Sequence, residues 1–207
     1  GRLYYTTATA PVAGDDTSLR YVDAPPPALP VTVLNVIGGG TARVHLLGED
    51  AGLLFCYFDE VEEGVDRNLD LDTTDEVVLA LLNGTDATAR VKSTELALAS
   101  DSEPFDAEFQ AADDWTAVFL VDEAEQGGTN LNDQTLFSQP LLPENCPTSD
   151  ADATDRVLFY VQVADFLANL SLPVNTGLAG TERVLAGDDF VATISPEADA
   201  SCNLNAD

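Results

Sequence analysis

The segment LLFCYFDE, residues 53–60, is a continuous apolar run that ends in two carboxylates, and it recurs along the chain. A second run, AVFLVDE, ends at Glu123, and a third, FVATISPE, ends at Glu197. Short apolar runs rich in Val, Leu, Phe and Tyr and bounded by Gly, Asn, Asp or Pro are typical of buried β-strands. Because self-similarity of this kind is typical of repeat proteins, the sequence predicts an all-β array of repeats.

Each complete repeat holds about four strand-like runs, such as LLFCYF, EVVLALL, ARVKSTELA and DAEFQAA. Four short strands in a repeat of about 40–50 residues plus an inserted loop match a β-propeller blade. We therefore predict a propeller-type array of four-stranded antiparallel repeats, about three repeats plus the start of another. The division is a degenerate repeat at 1–50, a repeat with an acidic loop at 51–113, a repeat with an enlarged acidic loop at 114–188, and the start of a further repeat at 189–207.

Three alternatives to a self-contained array stay open at this stage. The chain is a part of a larger ring, it is completed by a neighbouring chain, or it is a β-sandwich of about 12 strands whose turns resemble one another by accident. Helix signals are weak, and only TELALAS and VADFLANL are ambiguous between helix and strand. The chain has no Met and no signal-peptide pattern, from which we expect a processed mature chain or an excised fragment.

The charge of the chain excludes several classes of partner. It has 37 acidic residues against 8 basic ones, a formal net charge of −29. Such a surface repels phosphate backbones and anionic membranes, so a nucleic-acid partner is excluded and membrane docking is disfavoured. No apolar stretch approaches the roughly 20 residues that a membrane-spanning helix needs, so no membrane insertion is expected.

The loop after the first apolar run places oxygen-bearing side chains at relative positions 1, 3, 5, 7 and 10: Asp66, Asn68, Asp70, Asp72 and Asp75. In an irregular loop that curls round an ion, every second side chain can point inward, and Ca²⁺ prefers hard oxygen ligands. Carboxylates packed this closely repel one another unless a cation neutralises them. The spacing therefore predicts a Ca²⁺ site that orders the loop.

Asp66, Asn68 and Asp70 match the first three ligand positions of the pattern D-x-[DN]-x-[DN], and the loop resembles the calcium loops of the EF-hand, dockerin and thrombospondin type-3 families. It departs from them at Leu71, where a glycine is expected, and at Val77, where a glutamate is expected. Since strand-like sequence flanks the loop, the resemblance implies calcium coordination without an EF-hand fold. More broadly, the unit is similar to repeats of secreted bacterial β-propeller proteins with calcium loops inserted in their blades, which implies an extracellular, cell-surface or periplasmic location.

A second acidic loop follows the second apolar run. Its candidate ligands, carried over from the first loop, are Asn130, Asn132, Asp150, Asp152 and Asp155. Glu60 and Glu123 recur at the strand ends before the two loops, where they are candidates to supply a further ligand from a rigid strand. The alternative is that these glutamates cap the strand ends or face solvent.

The chain has three cysteines. Cys56 lies inside a run predicted to be a buried strand and is expected to be a free core thiol. Cys146 and Cys202 lie in the acidic loops of successive repeats, and a disulfide between them is predicted if adjacent blades bring those loops together; two unrelated thiols are the alternative. With one histidine, His45, and no CxxC spacing, a zinc site is not expected.

These observations favour an extracellular calcium-stabilised β-repeat module with a binding or structural role and no catalytic activity. Calcium and other copies or subunits of an extracellular assembly are its expected partners. Two alternatives remain: an enzyme domain that acts on polysaccharide, and a structural subunit of a larger assembly in a salt-tolerant organism, whose acidity is mainly a surface adaptation.

Overall fold

The computed structural model describes residues 2–7, 18–23, 29–36, 40–74, 78–85, 90–99, 109–112, 116–132, 152–180, 184–187 and 190–194. These residues form fourteen strands and two short helices, so the fold is all-β, as the sequence predicts. The sheets are open, and the closed ring of a propeller is not seen in this part of the chain. The chain divides into two compact units, residues 1–96 with 163–171 and residues 97–162 with 172–207.

The first unit contains two sheets and both helices. Its three-stranded sheet has the order β1-β2-β3, with β1 at Arg2–Thr7, β2 at Ser18–Asp23 and β3 at Val31–Thr32. Its five-stranded sheet has the order β4-β8-β7-β6-β5, with β4 at Leu34–Asn35, β5 at His45–Asp50, β6 at Leu53–Phe58, β7 at Val78–Asn83 and β8 at Arg90–Ala97. The helices are α1 at Glu60–Glu63 and α2 at Val163–Leu167.

The second unit contains a four-stranded antiparallel sheet and a hairpin. The sheet has the order β12-β11-β10-β9, with β9 at Phe109–Ala112, β10 at Thr116–Asp122, β11 at Arg156–Gln162 and β12 at Val174–Ala179. The hairpin pairs β13 at Leu185–Gly187 with β14 at Phe190–Ala192. Strand β9, which the sequence analysis places at the end of the preceding repeat, pairs with β10.

Apolar strands form the core of each unit. In β6 and β7 almost every side chain is buried, on both faces of the sheet, which is why these strands are continuous apolar runs without alternation. Cys56 is completely buried there and is a free thiol, as predicted. In the second unit, Val118, Leu120 and Leu158 from β10 and β11 lie in the corresponding core.

Two sheets share an arrangement that extends beyond their strand order. In both, a threonine near the middle of the last strand donates its hydroxyl to a leucine carbonyl of the neighbouring strand. Thr94 Oγ1 lies 2.8 Å from the Leu79 oxygen in the first unit, and Thr176 Oγ1 lies 2.7 Å from the Leu158 oxygen in the second. Strands β5 to β8 and β9 to β12 therefore correspond one to one.

The two stretches of ambiguous sequence have different structures. The described part of TELALAS continues strand β8 as far as Ala97, whereas VADFLANL begins with helix α2. Among the described residues, no helix has the length and apolar character needed to cross a membrane.

Candidate metal centres

Two glutamates stand at corresponding points of the two sheets. Glu60 follows β6 after one intervening residue, Asp59, whereas Glu123 follows directly on Asp122, the last residue of β10. The aspartate before each glutamate caps the turn: Asp59 Oδ1 accepts the amide of Glu62 at 2.9 Å, and Asp122 Oδ1 accepts the amide of Ala124 at 2.9 Å. Both glutamates are 0% exposed. The carboxylate of each glutamate is therefore buried at the end of its strand, just before the acidic loop.

Each buried carboxylate organises the loop that follows it. Glu60 Oε1 accepts the backbone amides of Arg67 and Asn68, the latter at 3.1 Å. Glu123 Oε1 accepts the amides of Leu131 and Asn132, the latter at 3.2 Å. Two consecutive amides, seven to nine residues downstream, thus bind one carboxylate oxygen in both places. Hydrogen bonds to a carboxylate are charge-assisted and therefore strong. These bonds fix the position of the backbone near the start of each loop.

The first loop curls through a series of turns closed by its own acidic side chains. Asp66 Oδ1 and Oδ2 accept the amides of Leu69 and Leu71 at 2.6 and 3.1 Å. Asn68 Oδ1 then accepts the amide of Asp70 at 3.3 Å. The intervening leucines have positive φ, 67° and 84°, and are 67% and 93% exposed. Acidic and apolar side chains therefore alternate between the inside and the outside of the loop.

The interior of the first loop is rich in negative charge. Burial raises the pKa of Glu60, and the nearby charges of Asp66 and Asp70 raise it further, against the two backbone hydrogen bonds. Glu60 Oε2 and Asp70 Oδ2 are buried, and neither has a hydrogen-bond partner among the described residues. The guanidinium of Arg67 is bound to a different carboxylate, since its Nε donates to Glu63 Oε2 at 2.8 Å. A hydrogen-bond donor or a cation would satisfy these two oxygens.

In the second loop the carboxylates converge. Oxygen atoms of Glu123, Asp152 and Asp155 all lie within 4.8 Å of one another. Two oxygens bound to one Ca²⁺ at about 2.4 Å are at most about 4.8 Å apart, so this spacing suits a shared ion. Asn132 is buried beside them and donates its Nδ2 to Asp155 Oδ2 at 2.8 Å. Among the described residues this is the one group of three acidic, histidine or cysteine side chains that is arranged to hold a metal.

The predicted ligands differ in where the structure places them. Glu60, Asp66 and Asp70 lie near one another without forming such a close triad, and Asp72 Oδ1 binds the amide of Thr74 at 2.8 Å at the exposed end of the loop. Asn68 is buried, whereas Asn130 is only half-buried. The remaining predicted positions fall outside the described residues: Asp75, Asp150, Cys146 and Cys202.

The sequence analysis missed the contribution of two threonines. Thr74 and Thr154 donate their hydroxyls to Asp72 and Asp152, each at 2.7 Å. The signal was present, since the pattern D-x-T occurs at 72–74 and again at 152–154. The hydrogen bond from the threonine closes a small turn that orients the aspartate before the next strand begins.

Comparison with protein-family models, curated proteins and solved structures finds no match to this chain.

Proposed function

We propose that the chain is an extracellular calcium-stabilised β-repeat module with a binding or structural role and no catalytic activity. The observation that carries this proposal is the carboxylate of Glu60, which is 0% exposed and whose Oε2 has no hydrogen-bond partner in the part of the chain that the structure describes. A buried carboxylate oxygen without a partner is destabilising. As a ligand of a divalent cation, the same oxygen would hold the acidic loop against the end of β6.

Calcium is favoured by the type and flexibility of the candidate ligands. In the first loop they are Glu60, Asp66, Asn68 and Asp70, and in the second they are Glu123, Asn132, Asp152 and Asp155. All offer hard oxygen atoms, carboxylate or amide, from an irregular backbone. Ca²⁺ accepts six to eight such oxygens in variable geometry, whereas Mg²⁺ demands a near-ideal octahedron and Zn²⁺ prefers nitrogen and sulfur.

The repetition of a buried glutamate at the end of a strand supports a structural role. Glu60 and Glu123 perform the same task at the ends of corresponding strands, whereas an active site is normally assembled once. The matching sheets β5 to β8 and β9 to β12 also support a repeat array of propeller type, in which other copies or subunits extend the assembly. The location outside the cell rests on the resemblance to secreted repeat proteins and on the predicted Cys146–Cys202 disulfide.

A calcium titration tests the proposal directly. Protein stripped with EDTA is titrated with Ca²⁺ by calorimetry, and its unfolding temperature is recorded with and without the ion. We expect two binding steps, each adding about 2.7 kcal/mol to the free energy of unfolding when free Ca²⁺ is 100 times its Kd. Glu60→Gln should remove one step and Glu123→Gln the other, whereas Glu125→Gln, at an exposed position, should retain both.

Two results would contradict the proposal. If NaCl alone stabilises the stripped protein as much as Ca²⁺ does, the acidity is a surface adaptation to salt and the loops hold no specific ion. If Glu60→Gln and Glu123→Gln both keep the full calcium response, the ion binds elsewhere. Magnesium at the same concentration serves as the control for a general effect of divalent charge.

A further inference from the structure

We infer that the first acidic loop is a docking site for a protein surface that has an apolar centre and a basic rim. The docking residues of this chain are Leu69 and Leu71, together with a hollow that Leu69 lines. This inference goes beyond the calcium proposal and needs no bound ion, because hydrogen bonds of the loop itself hold the backbone of both leucines.

The first observation is that both leucines have a strained backbone. Leu69 has φ of 67° and Leu71 has φ of 84°. This left-handed region is unfavourable for a residue with a bulky side chain, whereas glycine adopts it freely. Glycine at both positions would therefore suit the curl of the loop better than leucine does.

The second observation is that burial within the chain does not offset this strain. The side chains of Leu69 and Leu71 are 67% and 93% exposed. Apolar side chains stabilise a fold to the extent that they leave water, so these two contribute little to the core of their own unit. Backbone strain is found at sites where a protein contacts another molecule, and an exposed apolar pair fits such a site.

One side chain fixes the backbone from which both leucines project. Asp66 Oδ1 accepts the amide of Leu69 at 2.6 Å, and Asp66 Oδ2 accepts the amide of Leu71 at 3.1 Å. The leucines are therefore presented by an ordered backbone before any partner arrives. A pre-organised contact loses less conformational freedom on binding, which favours affinity.

A hollow beside the leucine pair offers room for a side chain of the partner. Its volume is about 260 Å³, enough for one bulky apolar side chain. The apolar part of its lining comes from Val36, Phe58, Leu69 and Val91. Its charged lining consists of two acidic and two basic residues, so the hollow has no net charge that would oppose an apolar group.

The charge around the leucines selects the rim of the partner. Residues 59–72 contain seven acidic residues and one arginine, so this segment stays negative even when one divalent ion is bound. Basic groups around an apolar centre complement such a surface. The same charge repels an anionic membrane, and a zwitterionic membrane has no net positive charge to offer. A protein surface is therefore the partner that these observations favour.

The test uses the full chain and a synthetic helical peptide of leucine and lysine, with its leucines on one face. A second peptide has serine in place of each leucine and keeps the same charge. Calorimetry measures both peptides against the natural chain and against a chain with Leu69→Gly and Leu71→Gly. The natural chain should bind the leucine peptide about tenfold more tightly than the glycine variant does, and both chains should bind the serine peptide equally.

Leu3→Ser provides the matched control, because Leu3 is 65% exposed and lines a different cleft. This variant should bind the leucine peptide as the natural chain does. Amide hydrogen exchange should slow at residues 66–72 in the complex. The same results are expected in EDTA and in Ca²⁺, so a failure of the calcium proposal is distinguishable from a failure of this inference.

The unfolding temperature of the glycine variant provides a second check. It should equal or exceed that of the natural chain, because glycine relieves the backbone strain. A lower unfolding temperature would overturn the inference, since it would show that the leucines pack within their own chain.

Four binding results would also overturn it. Three of them are equal binding of the leucine peptide by the natural chain and the glycine variant, an equal loss in Leu3→Ser, and slowed exchange confined to residues outside 66–72. The fourth is binding of phosphatidylcholine vesicles by the natural chain and not by the glycine variant, because the occupant of the site would then be a membrane.

Discussion

The backbone amide of Asp155 donates a hydrogen bond to Oε2 of Glu123 at 3.0 Å, across a separation of 32 residues in the chain. Strand β10 ends at Asp122, which is paired with Arg156 at the start of β11. The hydrogen bond therefore closes the enlarged loop at the point where the two strands begin to separate. Together with the amides of Leu131 and Asn132, it gives one buried carboxylate three backbone donors.

Replacement of Glu123 by alanine should therefore strongly destabilise the second unit. Three amides would lose their acceptor, and we expect a cost of about 3–5 kcal/mol in the free energy of unfolding. Glu125→Ala, at an exposed position two residues away, should change it by no more than about 0.5 kcal/mol. Urea unfolding in EDTA measures both. Similar values for the two variants would show that the Glu123 carboxylate does not organise the loop.

Glu95 in β8 and Gly177 in β12 are corresponding residues, and substitutions at these two positions should change the free energy of unfolding in opposite directions. Glu95 has φ of 63° and Gly177 has φ of 70°, and each follows the threonine that bonds to the neighbouring strand. A side chain is strained in this conformation, whereas glycine is not. Glu95→Gly should stabilise the chain by about 0.5–1 kcal/mol, and Gly177→Ala should destabilise it by about 1 kcal/mol.

Thermal and urea unfolding of these two variants provide the measurement. Apart from Gly177 and its two chain neighbours, no described residue has an atom within 4 Å of a methyl group added at Gly177, so a clash would not explain the loss. Destabilisation by Glu95→Gly would contradict the prediction and would indicate that the Glu95 side chain makes a larger contribution than its backbone strain.

Lys92 is the single lysine of the chain, which makes its titration measurable. Its Nζ lies 4.1 Å from the centre of the Phe166 ring and donates to the Phe166 carbonyl at 2.9 Å. Burial lowers the pKa of Lys92, and Glu95 opposes that shift. Between the folded pKa and the higher unfolded pKa, the unfolded chain binds more protons, so the contribution of Lys92 to stability should rise with pH in that interval.

Reductive methylation with ¹³C-formaldehyde labels Lys92 and the N-terminal amine, and their resonances report the two titrations. A folded pKa for Lys92 at or above the ordinary lysine value of about 10.4 would contradict the prediction.

Cys56 should be chemically silent in the native protein. It is completely buried in β6, and burial raises the pKa of its thiol, so the reactive thiolate is scarce. Iodoacetamide should label it only after unfolding, as read by peptide mapping. If the calcium proposal holds, added Ca²⁺ should slow this labelling further, because an ion that binds the folded state lowers the population of open states. Rapid labelling without denaturant would contradict the buried position.

The strands of the core could be predicted from the sequence because burial on both faces leaves continuous apolar runs, as in β6, β7 and β10. The same runs indicated the buried free thiol of Cys56. The partner of a strand could not be predicted in this way. The segment that forms β9 was assigned to the end of one predicted repeat, yet β9 pairs with β10 of the next repeat. An apolar pattern specifies which side chains are buried, but it does not specify which neighbouring strand buries them.

The sequence by itself determined the all-β class, the acidity and the recurrence of a carboxylate at strand ends, since these depend on residue type and spacing. Tertiary structure alone decided that Glu123 meets Asp152 and Asp155 while Glu60, Asp66 and Asp70 form no equally close triad. The physical reason is that strand pairing brings together groups distant in the chain, and the path of each loop then sets how closely their oxygens approach.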